Sequence, residues 1–132
     1  MRIVFGSFLI IHGLIHVMWF IPEPDKPDGP PWPFGLADSW LLNGVHAPEG
    51  LVRGLAVTLA LLSIVGFVLA GLGVIGVPGL SGAWSVLTIA SAAASLLLVV
   101  LFWHLYLIVG LALDLGLLVT TLGGRWPATL VG

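Results

Sequence analysis

The chain is built from long apolar runs interrupted by one extended polar segment. The first run covers Ile3 to Ile21, a helix of about 28 Å that matches the hydrocarbon thickness of a bilayer. A second run extends from about Leu51 to Ile75 and stops at Gly76-Val77-Pro78-Gly79, a helix-stop and turn signal. Each run predicts one membrane-spanning helix.

The remaining apolar stretch is too long for a single crossing. Gly82 to Leu122 would form a helix of about 60 Å, twice the hydrocarbon thickness, so it must reverse. Phe102-Trp103-His104-Leu105-Tyr106 is the predicted turn, because aromatic and polar side chains cluster there. The prediction is an all-α fold, a bundle of four transmembrane helices forming a single membrane domain over residues 1–132. Its spans are residues 3–21, 51–75, 82–101 and 105–122.

Composition supports a chain that resides in lipid. Hydrophobic residues make up 59% and charged residues 8% of the sequence, whereas soluble domains carry roughly a quarter charged residues. The apolar runs are uninterrupted, which favours helices over the short alternating strands of a membrane barrel. A net charge of −2 without a basic tract argues against a nucleic-acid partner. The absence of cysteine excludes disulfides, iron–sulfur clusters and covalently attached haem.

The polar segment, residues 22–50, is predicted to be the one substantial loop. Its many prolines exclude a long helix, and Asp38-Ser39-Trp40-Leu41-Leu42 predicts a short interfacial turn with Trp40 at headgroup depth. This segment carries five acids and one lysine. Arg2 and Arg125 lie together on the other side of the membrane, whereas Arg53 lies on the loop side and weakens this difference in basic charge. We therefore expect a cytoplasmic-type membrane, with both termini in the cytoplasm and the loop outside.

Two polar residues are expected at the same depth inside the membrane. His12 lies about 14 Å from the loop end of the first span, and Asp114 lies about 15 Å beyond the predicted turn. His16 shares the helical face of His12. A carboxylate in mid-bilayer costs roughly 2.5–3.5 kcal/mol, so Asp114 must be paired, protonated or turned inward. His12 and Asp114 are therefore predicted to form a buried polar pair. It is open whether they accept protons, bind a metal, line a quinone pocket or simply hold two helices together.

Small side chains recur on one side of two spans and predict close helix contacts. They are Ser63, Gly66, Ala70 and Gly73 in the second span, and Ser85, Thr88, Ala92 and Ser95 in the third.

A second polar cluster is expected at the loop end of the bundle. His16 and His104 are candidates for the axial ligands of a haem, and His16, His46 and His104 are candidates for binding zinc or copper. Against these interpretations, histidine and tryptophan are ordinary residues of membrane interfaces. The expected members of this outer-face cluster are His16, Trp19, Asp38, His46, Glu49, Arg53 and His104.

The first helix resembles that of the DoxX-like membrane proteins. That family begins with Arg, a Gly four residues later, and then His-Gly, which Arg2, Gly6, His12 and Gly13 match; where the family usually has Lys, this chain has His16. The second span carries Glu49-Gly50 and Gly54 at a different spacing from the family. The resemblance implies a four-helix membrane bundle, and some members are partners of membrane redox systems, including thiosulfate:quinone oxidoreductase.

The leading functional prediction is an accessory subunit of a membrane redox system that contacts a quinone or haem b. Its partners would be the lipid bilayer and either a redox complex or further copies of the chain. No nucleophile motif, phosphate-binding glycine loop or metalloprotease motif is present, so we do not expect an autonomous enzyme. The alternatives are a non-catalytic packing or assembly protein and a small transporter of protons or metal ions through Asp114.

Overall fold

A computed structural model describes residues 1–26 and 28–124, and over that range the protein is helical without strands. Arg125, used above to orient the chain, lies outside the described residues. Within these ranges, four helices are long and apolar enough to cross a membrane, as predicted. The elements are α1 (Arg2–Ile15), α2 (Trp40–Gly44), α3 (Glu49–Ile75), α4 (Trp84–Leu101) and α5 (Ile108–Leu122), with 3₁₀ helices at His16–Phe20 after α1 and Leu105–Leu107 before α5.

The helix ends differ little from those predicted. The reversal in the long apolar stretch is confirmed, because α4 ends at Leu101 and helical structure resumes at Leu105. α4 begins at Trp84, two residues later than expected, because hydrogen-bonded turns occupy the segment around Gly79, whose φ is +84°. α3 begins two residues early, at Glu49, directly after Pro48 as its N-cap.

The four spans form an open row. α1 packs against α3, α3 against α4, and α4 against α5, while α1 and α5 make few contacts with each other. The fourth span has 17% of its residues buried, against 33–39% in the other three. We call the junction between α1 and α5 the seam.

The contact between α1 and α3 depends on glycine. A Cβ atom on Gly13 would lie 2.8 Å from the Cβ of Phe67 and 3.2 Å from the carbonyl oxygen of Ile64. The missing side chain lets the backbones approach closely, as small residues do in membrane helix pairs. Phe67 is thereby pressed against the face of α1 that carries the histidines.

Buried polar residues separate two apolar clusters in the interior. Toward the loop end lie Trp19, Val52, Ala56, Leu59, Ala60, Leu98, Val99, Leu101, Phe102 and Leu107. Toward the other end lie Phe5, Leu9, Phe67, Ala70, Val74, Ala92 and Leu117. Between them are the buried side chains of His12, His16, Ser63, Ser91, Ser95 and Asp114.

The polar loop is anchored on the end of α4. Ser39 Oγ donates to the carbonyl of Leu101 at 2.7 Å, and the indole N–H of Trp40 donates to the carbonyl of Val100 at 2.7 Å. Ser39 also accepts from the backbone N–H of Leu42 and is the N-cap of α2. The turn predicted at residues 38–42 is thus a short helix that satisfies terminal carbonyls of a spanning helix.

Candidate functional site

The predicted contact between His12 and Asp114 is present in the structure. His12 Nε2 lies 2.8 Å from Asp114 Oδ1, with 5% and 0% of the two side chains exposed. The bond crosses the seam and links the first and last spans. It gives the mid-membrane carboxyl group a polar partner, as the depth argument requires.

The contact is part of a longer hydrogen-bonded series. Ser95 Oγ lies 2.5 Å from Asp114 Oδ2 and 2.7 Å from His16 Nε2. His16 Nδ1 lies 3.1 Å from the carbonyl oxygen of His12. We call His12, Asp114, Ser95 and His16 the buried network; it connects α1, α4 and α5.

The helix changes from α to 3₁₀ at His16, and this change allows the bond between His16 Nδ1 and the carbonyl of His12. The backbone N–H of His16 donates to the carbonyl of Gly13, three residues back, as the 3₁₀ helix begins. The imidazole of His16 then donates from Nδ1 to the carbonyl of His12, which would normally accept that backbone N–H. The orientation of the His16 ring is fixed by its own helix.

Aromatic rings surround the histidines. The Phe8 ring is nearly parallel to His12, with centroids 5.9 Å apart, and Phe67 meets His12 edge-on at 4.7 Å. Phe67 also lies 6.2 Å from the ring of His16. These contacts hold both imidazoles in apolar surroundings, where hydrogen bonds are stronger than in water.

A cavity of about 200 Å³ lies beside the network. Ile15 and Val109, which contribute to its wall, are 53% and 66% exposed, so the cavity reaches the lipid-facing surface of the bundle. The network contributes His12, His16 and Ser95 to the lining. The other lining residues are Trp19, Phe34, Val99, Tyr106, Leu107, Gly110 and Leu113. An apolar cavity with a few polar groups on one side is typical of a small-molecule site.

The expected outer-face cluster is divided between interior and surface. His16 and Trp19 are buried in the bundle, whereas Asp38, His46 and Glu49 are exposed and His104 is half-buried. An exposed ion pair of 2.9 Å joins Arg53 and Glu49, and His104 Nδ1 accepts from the backbone N–H of Tyr106. Such exposed ion pairs contribute little free energy.

The metal site predicted from His16, His46 and His104 is not formed. Within residues 1–26 and 28–124, no three His, Asp or Glu side chains are grouped to hold a metal ion. His16 is held inside the bundle by Ser95 and the carbonyl of His12, while His46 lies on the surface of the loop. The same two bonds occupy both ring nitrogens of His16 in this structure, and haem ligation by His16 and His104 stays a prediction.

Sequence reasoning assigned Ser95 to a helix contact and did not identify it as a site residue. A depth comparison was available: Ser95 lies six residues before the end of the third span, about 9 Å deep, close to the depth of His16. The equivalent signal for Phe67 was absent, because nothing distinguishes it from any other apolar residue of a spanning helix.

Comparisons of the chain with protein-family models, with curated proteins and with solved structures find no match. The resemblance to the DoxX-like proteins stays a prediction from the first helix. Of its motif residues, Gly6 and Gly13 lie where α1 approaches α3, and His12 belongs to the buried network.

Proposed function

We propose that the protein is a component of a membrane redox system that binds a quinone-type ring in the cavity at the seam. The cavity supports this proposal, because it combines apolar walls, polar atoms on one side and access from lipid. The resemblance to the DoxX-like family, some of whose members work with quinone-linked enzymes, agrees with it.

The chemistry of the lining suits a ring that carries oxygen substituents. About 200 Å³ fits a single substituted ring, and a lipophilic tail would leave past Ile15 and Val109 into the bilayer. Both nitrogens of His16 are engaged, whereas His12 Nδ1 has no hydrogen-bond partner among the residues that the structure describes. His12 is therefore the network residue placed to contact a ligand.

A cavity-filling variant tests this proposal. Gly110 lines the cavity, and a Cβ atom at this position has no neighbour within 4 Å, so the side chain of Gly110→Leu can begin without a clash and extend into the cavity. The purified protein is titrated with a decyl-substituted benzoquinone, and binding is measured by the quenching of tryptophan fluorescence. We expect saturable binding to the wild type. Gly110→Leu should weaken it by about tenfold or more, since overpacking typically costs about 1–3 kcal/mol.

Gly116→Leu is the matched control. Gly116 lies on the same helix, has equally free space, and does not line this cavity. It should bind the benzoquinone like the wild type. Equal binding by the Gly110→Leu variant, or no saturable binding by the wild type, would contradict the proposal.

A non-catalytic assembly protein is the second candidate, and the seam favours it. The backbones of α1 and α5 approach each other at few points, and the bond between His12 and Asp114 joins the two helices beside the apolar contacts of Leu117. A protein in which this bond serves only to close the bundle would not bind the benzoquinone, and the titration separates the two functions.

The proposal includes an orientation in a cytoplasmic-type membrane. Arg2 begins the first span, while the loop at the other end carries four exposed acids before α3: Glu23, Asp25, Asp28 and Asp38. Basic residues favour the cytoplasmic side, so the termini would be cytoplasmic and the cavity would lie nearer the outer face.

A further inference from the structure

The geometry of the buried network limits where its protons can be. His16 Nδ1 faces a carbonyl oxygen, which can only accept, so this nitrogen carries a hydrogen. A neutral His16 then has a lone pair on Nε2, the atom that faces Ser95. The protonation state of His16 therefore decides whether it donates to Ser95 or accepts from it.

Ser95 has one hydroxyl proton and faces two partners. When Ser95 donates to a neutral His16, Asp114 must be a carboxylic acid that donates to Ser95. When Ser95 donates to Asp114 instead, His16 must carry a proton on Nε2 and be an imidazolium. An ionised Asp114 beside a neutral His16 would leave two acceptors facing a single proton and one contact unsatisfied.

We infer that Ser95 is a proton-relay residue and that the buried network carries one proton from the cavity to His16. An O–H donor in the cavity protonates His12 Nδ1, and the Nε2 proton of His12 moves to Asp114 Oδ1. The proton on Asp114 Oδ2 moves to Ser95 Oγ, and the original Ser95 proton moves to His16 Nε2. Four protons each move across one contact and no electron is transferred.

The final arrangement satisfies the same contacts as the first, with donor and acceptor exchanged in the three contacts between side chains. His12 ends neutral with its proton on Nδ1, Asp114 ends as a carboxylic acid that donates to His12, and His16 ends as an imidazolium. The positive charge arrives one helical turn nearer the loop end, about 6 Å away. The relay uses the cavity of the proposed function but does not depend on a quinone as the donor.

Within the described range, the elements around the network carry other titratable groups, but Arg2 on α1 and the Arg53–Glu49 pair on α3 are exposed. Tyr106, which precedes α5, lines the cavity, and α3 contributes the ring of Phe67. On α4, the hydroxyls of Thr88 and Ser91 donate to the carbonyls of Trp84 and Leu87 in their own helix. Of the hydroxyls that α4 buries, Ser95 is thus the one whose bonds join two titratable side chains.

Nitrogen NMR of the ¹⁵N-histidine-labelled, full-length protein in lipid nanodiscs without quinone tests the relay. We expect opposite tautomers in alkaline buffer: a proton on Nδ1 in His16 and on Nε2 in His12. As the pH is lowered, His16 should gain its second proton in the same step in which neutral His12 switches to the Nδ1 tautomer. The exposed His46, which lies outside the network, provides the reference signal.

Matched serine variants decide whether Ser95 is the link. Ser95→Ala should abolish the coupled switch, so that His12 keeps its tautomer when His16 is protonated. Ser91→Ala, which removes an equally buried hydroxyl one turn away, should retain the switch, and Ser95→Thr should restore it. If Ser95→Ala does not fold, Asp114→Asn tests the same step, because an amide cannot pass the proton on.

Either of two results would overturn the relay: identical tautomers for His12 and His16 in alkaline buffer, or a coupled switch that persists in Ser95→Ala or in Asp114→Asn. Failure of benzoquinone binding leaves this experiment unaffected, because the tautomers are measured without a ring in the cavity. The relay and the proposed function can therefore fail separately.

Discussion

At the scale of single residues, Asp114 is the least expected side chain of the protein. It is fully buried at mid-membrane depth, where an unpaired carboxylate is strongly unfavourable. Each of its oxygens has a partner, His12 for Oδ1 and Ser95 for Oδ2. A carboxyl group that is satisfied in this way can be retained in a membrane helix, and its partners come from two other spans.

A double-mutant cycle on His12 and Asp114 should show strong coupling. His12→Leu and Asp114→Leu should each lower the free energy of unfolding by about 1–3 kcal/mol, because each leaves a buried polar group unpaired. The double variant should recover part of this loss, since neither the imidazole of His12 nor the carboxyl group of Asp114 is then left buried without its partner. Denaturant unfolding in detergent measures all three; strictly additive losses would show that the two side chains do not interact.

The pair could be predicted from sequence because depth follows from counting residues along straight helices. His16 and Ser95 lie at similar depth by the same count, but serine is so common at helix contacts that its chemical role was not distinctive. Depth alone could not predict the metal site. Counting places His16 and His104 toward the same end of the bundle, yet the direction of each side chain depends on packing, which the sequence does not specify, and no three metal-binding side chains are grouped among the described residues. Haem ligation stays a prediction.

At the scale of elements, the contact between α1 and α3 positions the network. Gly13 lies next to His12, and its hydrogen atom leaves space for Phe67, the ring that meets both histidines. The sequence shows the glycine, but the residue that it faces follows from the packing angle between the helices. Helix number and boundaries were predictable from apolar length, with errors of two residues where turns and a proline adjust the ends.

Gly13→Ala should therefore be destabilising, unlike most Gly→Ala changes in helices. Its Cβ atom would lie 2.8 Å from the Cβ of Phe67, so α1 and α3 must separate, at a typical cost of about 1–3 kcal/mol. Gly54→Ala in α3 is the control, because its Cβ atom meets nothing within 4 Å and helix propensity should stabilise it by about 0.5–1 kcal/mol. Thermal unfolding of both variants checks the pair; equal stabilisation of both would contradict the close contact.

At the scale of the whole molecule, the polar loop and the reversal after α4 lie at the same end of the four packed spans. The turn between α3 and α4 lies at the other end with the first residue of the chain. Hydropathy predicted this up-and-down order, because each apolar run must cross once. The orientation rests on a few charges, and it stays a prediction.

Single cysteines test the orientation without background, because the chain has no native cysteine. Gly44 and Gly82 are both exposed, lie at opposite ends of the bundle, and have free space for a side chain. In intact cells, an impermeant maleimide should label Gly44→Cys from outside, while Gly82→Cys should react after the membrane is opened. The reverse labelling pattern would show that the termini lie outside.

The bond across the seam also bears on the order in which the protein can be assembled. His12 and Asp114 are 102 residues apart, so their bond forms only after the last span has left the ribosome. By then α1, α3 and α4 can already hold His12, His16 and Ser95 in one layer. Of the four side chains in the buried network, the carboxyl group of Asp114 is the most unfavourable in lipid. It enters the membrane last, when the groups that form hydrogen bonds with it are already in place. Membrane insertion of the final helix and completion of the site become a single event of biogenesis.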